Sequence, residues 1–218
     1  QRNSRAKQRN PCYLIVMPVT INGNGTITGI SAGGLPDGCI TADDLAAGAG
    51  GKILQVKTNS VKDAIGSISI SSTNTLFDIP NLNVSITPAS SSSKILISFH
   101  IMGENGDNDD ASLFYVVKRA ISGGATTLIR GTSTNNRSAI FTQAPIIYYS
   151  ADFDSTPTFA SCSNYLDEPS TASAITYTIQ IANNEQTCTW YYNRAANSAD
   201  AATRENGLSW ITVQEVAA

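Results

Sequence analysis

From residue 51 onward apolar residues recur at every second position in short runs, and clusters of Ser, Asn, Gly or Asp close each run. That period belongs to the β-strand, whose successive side chains point to opposite faces. The clearest run, 174–182, sets Ile175, Tyr177, Ile179 and Ile181 on one side and Thr176, Thr178 and Gln180 on the other. It follows Asp167-Glu168-Pro169-Ser170, polar turn chemistry in which Pro169 cannot continue a paired strand. The same reading predicts strands at 52–58, 64–72, 76–79, 83–87, 93–102, 111–119, 126–130, 137–141, 146–150, 158–162, 187–193 and 208–216. Strands that each offer one apolar face must be covered in pairs. The prediction is therefore an all-β domain over 51–218, an antiparallel β-sandwich with jelly-roll-like connectivity preferred.

Residues 17–50 read differently. They hold no Lys or Arg, and Gly recurs at 23, 25, 29, 33, 34, 38, 48 and 50. Short strands at 19–21 and 26–28 flank a glycine turn, and Gly33-Gly34-Leu35-Pro36-Asp37-Gly38 is a strong turn cluster. Thr41 as N-cap, Asp43 and Asp44 behind it and Gly48 as a stop predict a turn or two of helix. So small an element cannot bury a core, so 17–50 is expected to act as an N-terminal glycine-rich arm that anchors the domain to a partner.

Composition supports the β reading. Charged residues make up 14% of the 218, against about 25% in an average soluble protein. The charge is also uneven. Arg2, Arg5, Lys7 and Arg9 form a basic tail over 1–16, and the remainder carries ten basic against seventeen acidic residues, a net of −7. A body of that sign repels phosphate backbones, so no nucleic-acid partner is expected for it. The tail reads as solvated sequence, and Met17 resembles a natural start, which would make 1–16 upstream sequence. The apolar run 11–17 is far shorter than the about 20 residues that span a bilayer, so neither export nor membrane insertion is expected.

Several segments, taken in order, resemble a domain common in tail-fibre-like and virion-surface proteins of marine and cyanobacterial bacteriophages. Gly50-Gly51-Lys52-Ile53-Leu54-Gln55-Val56 resembles its first strand. Residues 82–97 are similar to its central hairpin, which reads s-I-T-P-s-s-t-s-S-K-I-L, and 165–181 is similar to its closing hairpin with the segment D-x-P-x-t-x-x-x-x-x-Y. Tyr192-Asn193-Arg194 and 209–216 resemble its last two strands, and 17–37 looks like the start of such proteins. The resemblance covers 50–218. It implies a virion structural protein, trimeric and non-enzymatic, assembled in the host cytoplasm. Tail-fibre-like host attachment is favoured, with a head decoration or cement protein as the alternative. A jelly-roll polysaccharide depolymerase, and a capsid protein with a basic genome-binding arm, are weaker readings. The expected partners are other copies of the chain, virion proteins met by the arm, and a host surface glycan.

Little in the chain suggests reaction chemistry, and no catalytic, cofactor-binding or metal-ligating residue is assigned. His100, the single histidine, shares a strand face with Leu96, Ser98 and Met102 and has no nucleophile elbow to serve, so it reads as structural. The 103–110 loop is rich in oxygen ligands but does not fit an EF-hand, and reads as a solvated turn. The pairs Asp152/Asp154 and Asp167/Glu168 lie in turns, which fix no separation across a sugar. The glycine-rich arm lacks a phosphate-cradling Lys-Ser/Thr. Cys12, Cys39, Cys162 and Cys188 form no zinc spacing and read as free thiols, with a Cys162–Cys188 bridge as the alternative. The one candidate binding surface is aromatic: Trp190, Tyr191, Tyr192, Asn193 and Arg194, with Tyr148-Tyr149 and Asn135-Asn136-Arg137, as a rim of rings and amides for sugar faces and hydroxyls. Alternation also sends about half of these aromatics into the core.

Overall fold

The computed structural model describes residues 20–21, 27–28, 52–63, 66–106, 112–144, 157–197, 202 and 204–218. The helix expected at 41–48, the strand expected at 146–150, Cys12 and Cys39 lie outside them. The chain divides into two units, 1–50 and 51–218. In the first, β1 (Thr20–Ile21) pairs antiparallel with β2 (Ile27–Thr28).

The second unit is two antiparallel sheets. Its strands are β3 (Ile53–Val61), β4 (Ser67–Ile70), β5 (Phe77–Ile86), β6 (Lys94–Asn105), β7 (Leu113–Ile121), β8 (Thr126–Ile129), β9 (Thr142–Gln143), β10 (Thr158–Asp167), β11 (Ile175–Asn183), β12 (Cys188–Tyr192) and β13 (Ser209–Val216). In the first sheet β6 is central. β10 runs along one edge; β13 and β12 lie end to end along the other, continued by β3 and β4 respectively. The second sheet runs β5-β11-β7-β8, with β9 beside β7. The orders β3-β13-β6-β10 and β5-β11-β7-β8 are those of a jelly roll, with the β4–β12 pair as an addition at one end.

The core follows from period-two alternation. Ile95, Ile97, Phe99 and Ile101 of β6 and Ile211 and Val213 of β13 are fully buried against Ile175, Tyr177, Ile179 and Ile181 of β11. Each such side chain contributes about 1.5–3 kcal/mol by leaving water.

Some expectations are corrected. The strands expected at 76–79 and 83–87 are one strand, β5. Pro80 needs no ladder donor at this edge, and Asn81 at φ 60° absorbs a register shift opposite 178–180. No strand forms at 137–141, where the chain is a loop; β9 begins just beyond it. Tyr165, Leu166 and Asp167 extend β10 instead of opening a turn. The segments resembling hairpins, 82–97 and 165–181, are arches: β5 and β6 belong to different sheets, as do β10 and β11.

Buried polar groups pin these crossings. Asp167, at the end of β10, accepts 2.6 Å from Arg119 Nη1 and 2.7 Å from Tyr177 Oη in the other sheet. The acid and the tyrosine of the D-x-P…Y segment thus bond to each other, which gives that spacing a structural cause. Burial and then the Asp167 charge push the Tyr177 hydroxyl well above its ordinary range. Glu215 does the same for the other arch. Its Oε1 accepts from the Ala89 N–H at 2.7 Å, and Gln55 Nε2 donates to Oε2 at 2.6 Å. Burial pushes this carboxyl up, but those bonds, with others from Ser93 and the Ser90 N–H, outweigh it and hold Glu215 below the usual glutamate range. The open edge at β3 is stapled to β5 by Asn59, whose Nδ2 donates to the carbonyls of Asn81 and Asn83. The strands β3 and β13 also tie the ends of the unit together, with Ala217 N donating to Lys52 O at 2.7 Å.

Candidate functional site

The residues expected to form a glycan rim are divided by the fold. On β12 alternation turns Trp190 and Tyr192 inward, where they are 2% and 0% exposed and stack at 5.5 Å. Trp190 lies so close over Gly103 that a Cβ there would sit 2.3 Å from its ring. Asn193 is fully buried and acts as a peg: its Nδ2 donates to the carbonyls of Val61 and Asp63, and its Oδ1 accepts from Ser209 Oγ at 2.6 Å. These three side chains have no free face for a sugar. Only Tyr191 and Arg194 reach the surface, with the guanidinium 4.5 Å above the ring centre. Tyr148 and Tyr149 lie outside the described residues.

The third part of the expected rim fares differently. Asn135, Asn136 and Arg137 border a cleft of about 330 Å³ on the outer side of the second sheet. The inner face of β7 packs into the main core through Leu113, Tyr115 and Val117. Its outer face carries Phe114 and Val116, which with Ala182 of β11 form a second small apolar cluster roofed by Leu76, Leu128 and Ile140. That cluster seats the 130–141 loop, and Gly131 N closes it on Ile140 O at 2.8 Å. Within the loop Ser133 Oγ donates to Arg137 O at 2.8 Å and Asn135 takes φ 55°, a left-handed conformation that Asn tolerates better than most residues. Phe114 and Leu76 line the cleft beside Arg130, Arg137, Asn74 and Asn184, and among the described residues no Asp or Glu lines it.

Sequence reading named the 135–137 triplet but not its neighbours. Asn74, Phe114, Arg130 and Asn184 come from four separate segments, and their convergence depends on sheet order. One local signal was available, the polar run 131–136, which marks an irregular connection.

A second surface is the outer face of the first sheet. His100 is half-buried there, on the face it shares with Leu96, Ser98 and Met102, and burial lowers its pKa. Its ring stacks on Phe159 at 5.3 Å and on Trp210 at 6.4 Å, and its Nδ1 lies 2.8 Å from Ser161 Oγ. Cross-strand neighbours continue the face. Val56, Gln214, Leu96 and Leu166 form one row, and Thr58, Thr212 and Ser98 another. Phe159, Val56 and Leu166 are 59%, 55% and 44% exposed.

Cys162 and Cys188 are free thiols, so no Cys162–Cys188 bridge forms. Part of the 103–110 loop lies outside the described residues, and among those described no group of three or more His, Cys, Asp or Glu could hold a metal ion. Among the described residues no helix is long and apolar enough to cross a membrane.

No protein-family model matches the chain, and no curated protein matches it in sequence. Among solved structures, a chain in a structure of infectious bursal disease virus, Gx strain, is similar to it with a TM-score of 0.32 and 9% identity. The similarity covers 84% of this chain and 41% of that one, so this chain spans less than half of its length.

Proposed function

We propose that the chain is a non-enzymatic virion structural protein that associates with copies of itself, as a trimer, through the outer face of the first sheet. The observation that carries this reading is the character of that face within a jelly roll. Its rows are rings, aliphatics, Thr and Ser, and the lysine at its margin, Lys94, is paired with Glu168. A body with a net charge of −7 repels its own copies over most orientations, whereas an uncharged face meets itself without that penalty. Exposed aromatic and aliphatic side chains in rows are also the surface that association buries. The motif order shared with phage virion-surface proteins points the same way.

Within this reading the arm at 17–50 meets other virion proteins and the domain at 51–218 faces solvent. Host attachment is preferred to head decoration because of one observation, the cleft at 130–141, which offers polar and apolar groups to a small ligand. Neither a nucleic-acid nor a membrane partner is proposed. The test is quantitative mass spectrometry of purified particles that carry the gene. A few copies per particle support attachment, hundreds move the protein to the head, and absence overturns the virion reading.

A further inference from the structure

We infer that the cleft between the 130–141 loop and the outer face of the second sheet binds an acidic sugar, through a carboxylate or a sulfate ester and a neighbouring hydroxyl. The inference deepens the attachment reading by naming the ligand class.

Three features of the cleft converge on that ligand. The first is charge. Arg130 and Arg137 both line it, and among the described residues neither has an ion-pair partner and no acid lines the cleft. By contrast Lys94, Lys118 and Arg119 are each paired with a carboxylate. Two arginines lining one cleft, within a body of opposite net sign, form a local site for an anion, and guanidinium matches planar oxyanions in geometry.

The second feature is an unmet acceptor. Oδ1 of Asn184, another lining residue, is buried and accepts no hydrogen bond among the described residues. Leaving such an atom unmet is unfavourable. A bare anion has no proton to give it, whereas a sugar hydroxyl donates. A ligand that carries a negative group and a hydroxyl together suits both features. The third is the partly exposed apolar side chain of Leu76, which suits the CH face of a ring.

The loop is also set in advance. It is closed by Gly131 N–Ile140 O, turned by Arg137 N on Thr134 O at 3.2 Å, and seated on the Phe114–Val116–Ala182 cluster. Little ordering cost remains for binding. The volume of about 330 Å³ lies at the small end of ligand pockets, which suits a short saccharide unit. A nucleic acid fits less well, since its continuous charge would meet the net −7 of the body beyond the cleft.

The test is binding of the full chain to immobilised polygalacturonate, dextran sulfate and neutral dextran at low and high salt. The expected result is salt-sensitive binding to at least one of the charged polymers and none to dextran. Binding to polygalacturonate alone assigns the carboxylate as the recognised group, and binding to dextran sulfate alone assigns the sulfate ester. The double variant Arg130→Gln/Arg137→Gln loses at least about tenfold in affinity with unchanged melting temperature and oligomeric state. Lys57→Gln/Lys62→Gln, which removes two exposed charges that do not line the cleft, leaves affinity unchanged. Equal binding to dextran, full affinity in the arginine variant, or an equal loss in the lysine variant overturns the inference, as does failure to bind either charged polymer. The virion reading is judged separately by copy number, so either can fail without the other.

Discussion

The two sheets share one interior and treat their outer faces in opposite ways. Outside the second sheet, Phe114 and Val116 are 6% and 0% exposed, because the 130–141 loop folds down over them. Its other outward positions are polar and mutually bonded: Asp78 Oδ1 accepts from Lys118 Nζ at 2.6 Å and from Gln180 Nε2 at 2.7 Å, and Ser85 meets Thr176 at 2.8 Å. Outside the first sheet no loop among the described residues plays that part. The Phe159–His100–Trp210 stack and the Val56–Leu166 row remain accessible. One face is covered from within the chain, and the other is bare among the described residues. The difference also separates the two binding proposals, with the small ligand under the loop and the large partner on the bare sheet.

The comparison can be broken first from inside. Ile95 and Ile179, one from each sheet, are both fully buried, so Ile95→Asp and Ile179→Asp each place an unpaired charge in the core. Neither variant yields soluble folded protein, and a cooperative melt for either one would show that the sheets do not share the interior equally. Next comes the link between sheets. Asp167→Ala strands Arg119 and Tyr177, and costs about 3–5 kcal/mol in denaturant unfolding.

The outer faces themselves are compared by truncating one phenylalanine on each. Phe114→Ala empties the cluster under the loop and costs about 3 kcal/mol. Phe159→Ala changes stability by less than about 0.5 kcal/mol but weakens self-association, read by light scattering after size exclusion. Equal costs at the two sites would erase the contrast.

The smallest effect is a pH dependence. Glu215 has its folded pKa held below the unfolded value, so its contribution is complete above the unfolded value of about 4.5 and is lost as pH falls through the folded one. Wild-type protein therefore loses melting temperature more steeply below about pH 4.5 than Glu215→Gln. Parallel pH profiles would remove Glu215 from its role at the β5–β6 arch.

Much of this fold was legible because alternation reports which face of a strand is buried. The parity of 94–102 set Ile95, Ile97, Phe99 and Ile101 on one face and His100 on the other, and the structure buries the first face in the core. Parity does not say which sheet a strand joins, so two arches passed for hairpins. Nor does it distinguish a surface aromatic from one packed between sheets. Trp190 and Tyr192 have the same parity as Cys188, and all three are core. Asn193 was misleading for another reason: a side chain that looks like a sugar ligand satisfies three groups on two neighbouring segments internally. The cleft was least legible, because its lining is assembled from positions as far apart as Asn74 and Asn184.

The bond from Ala217 N to Lys52 O places the two ends of the sandwich side by side at one corner. A domain built this way is a module that hangs from a single point. It can be spliced into a loop of another protein as one bead on a stem, because the host chain departs and returns at almost the same place. The same closure allows the ring of strands to be reopened elsewhere. The two-glycine tip between β7 and β8, at Gly123-Gly124, is one place where new ends would leave every sheet intact.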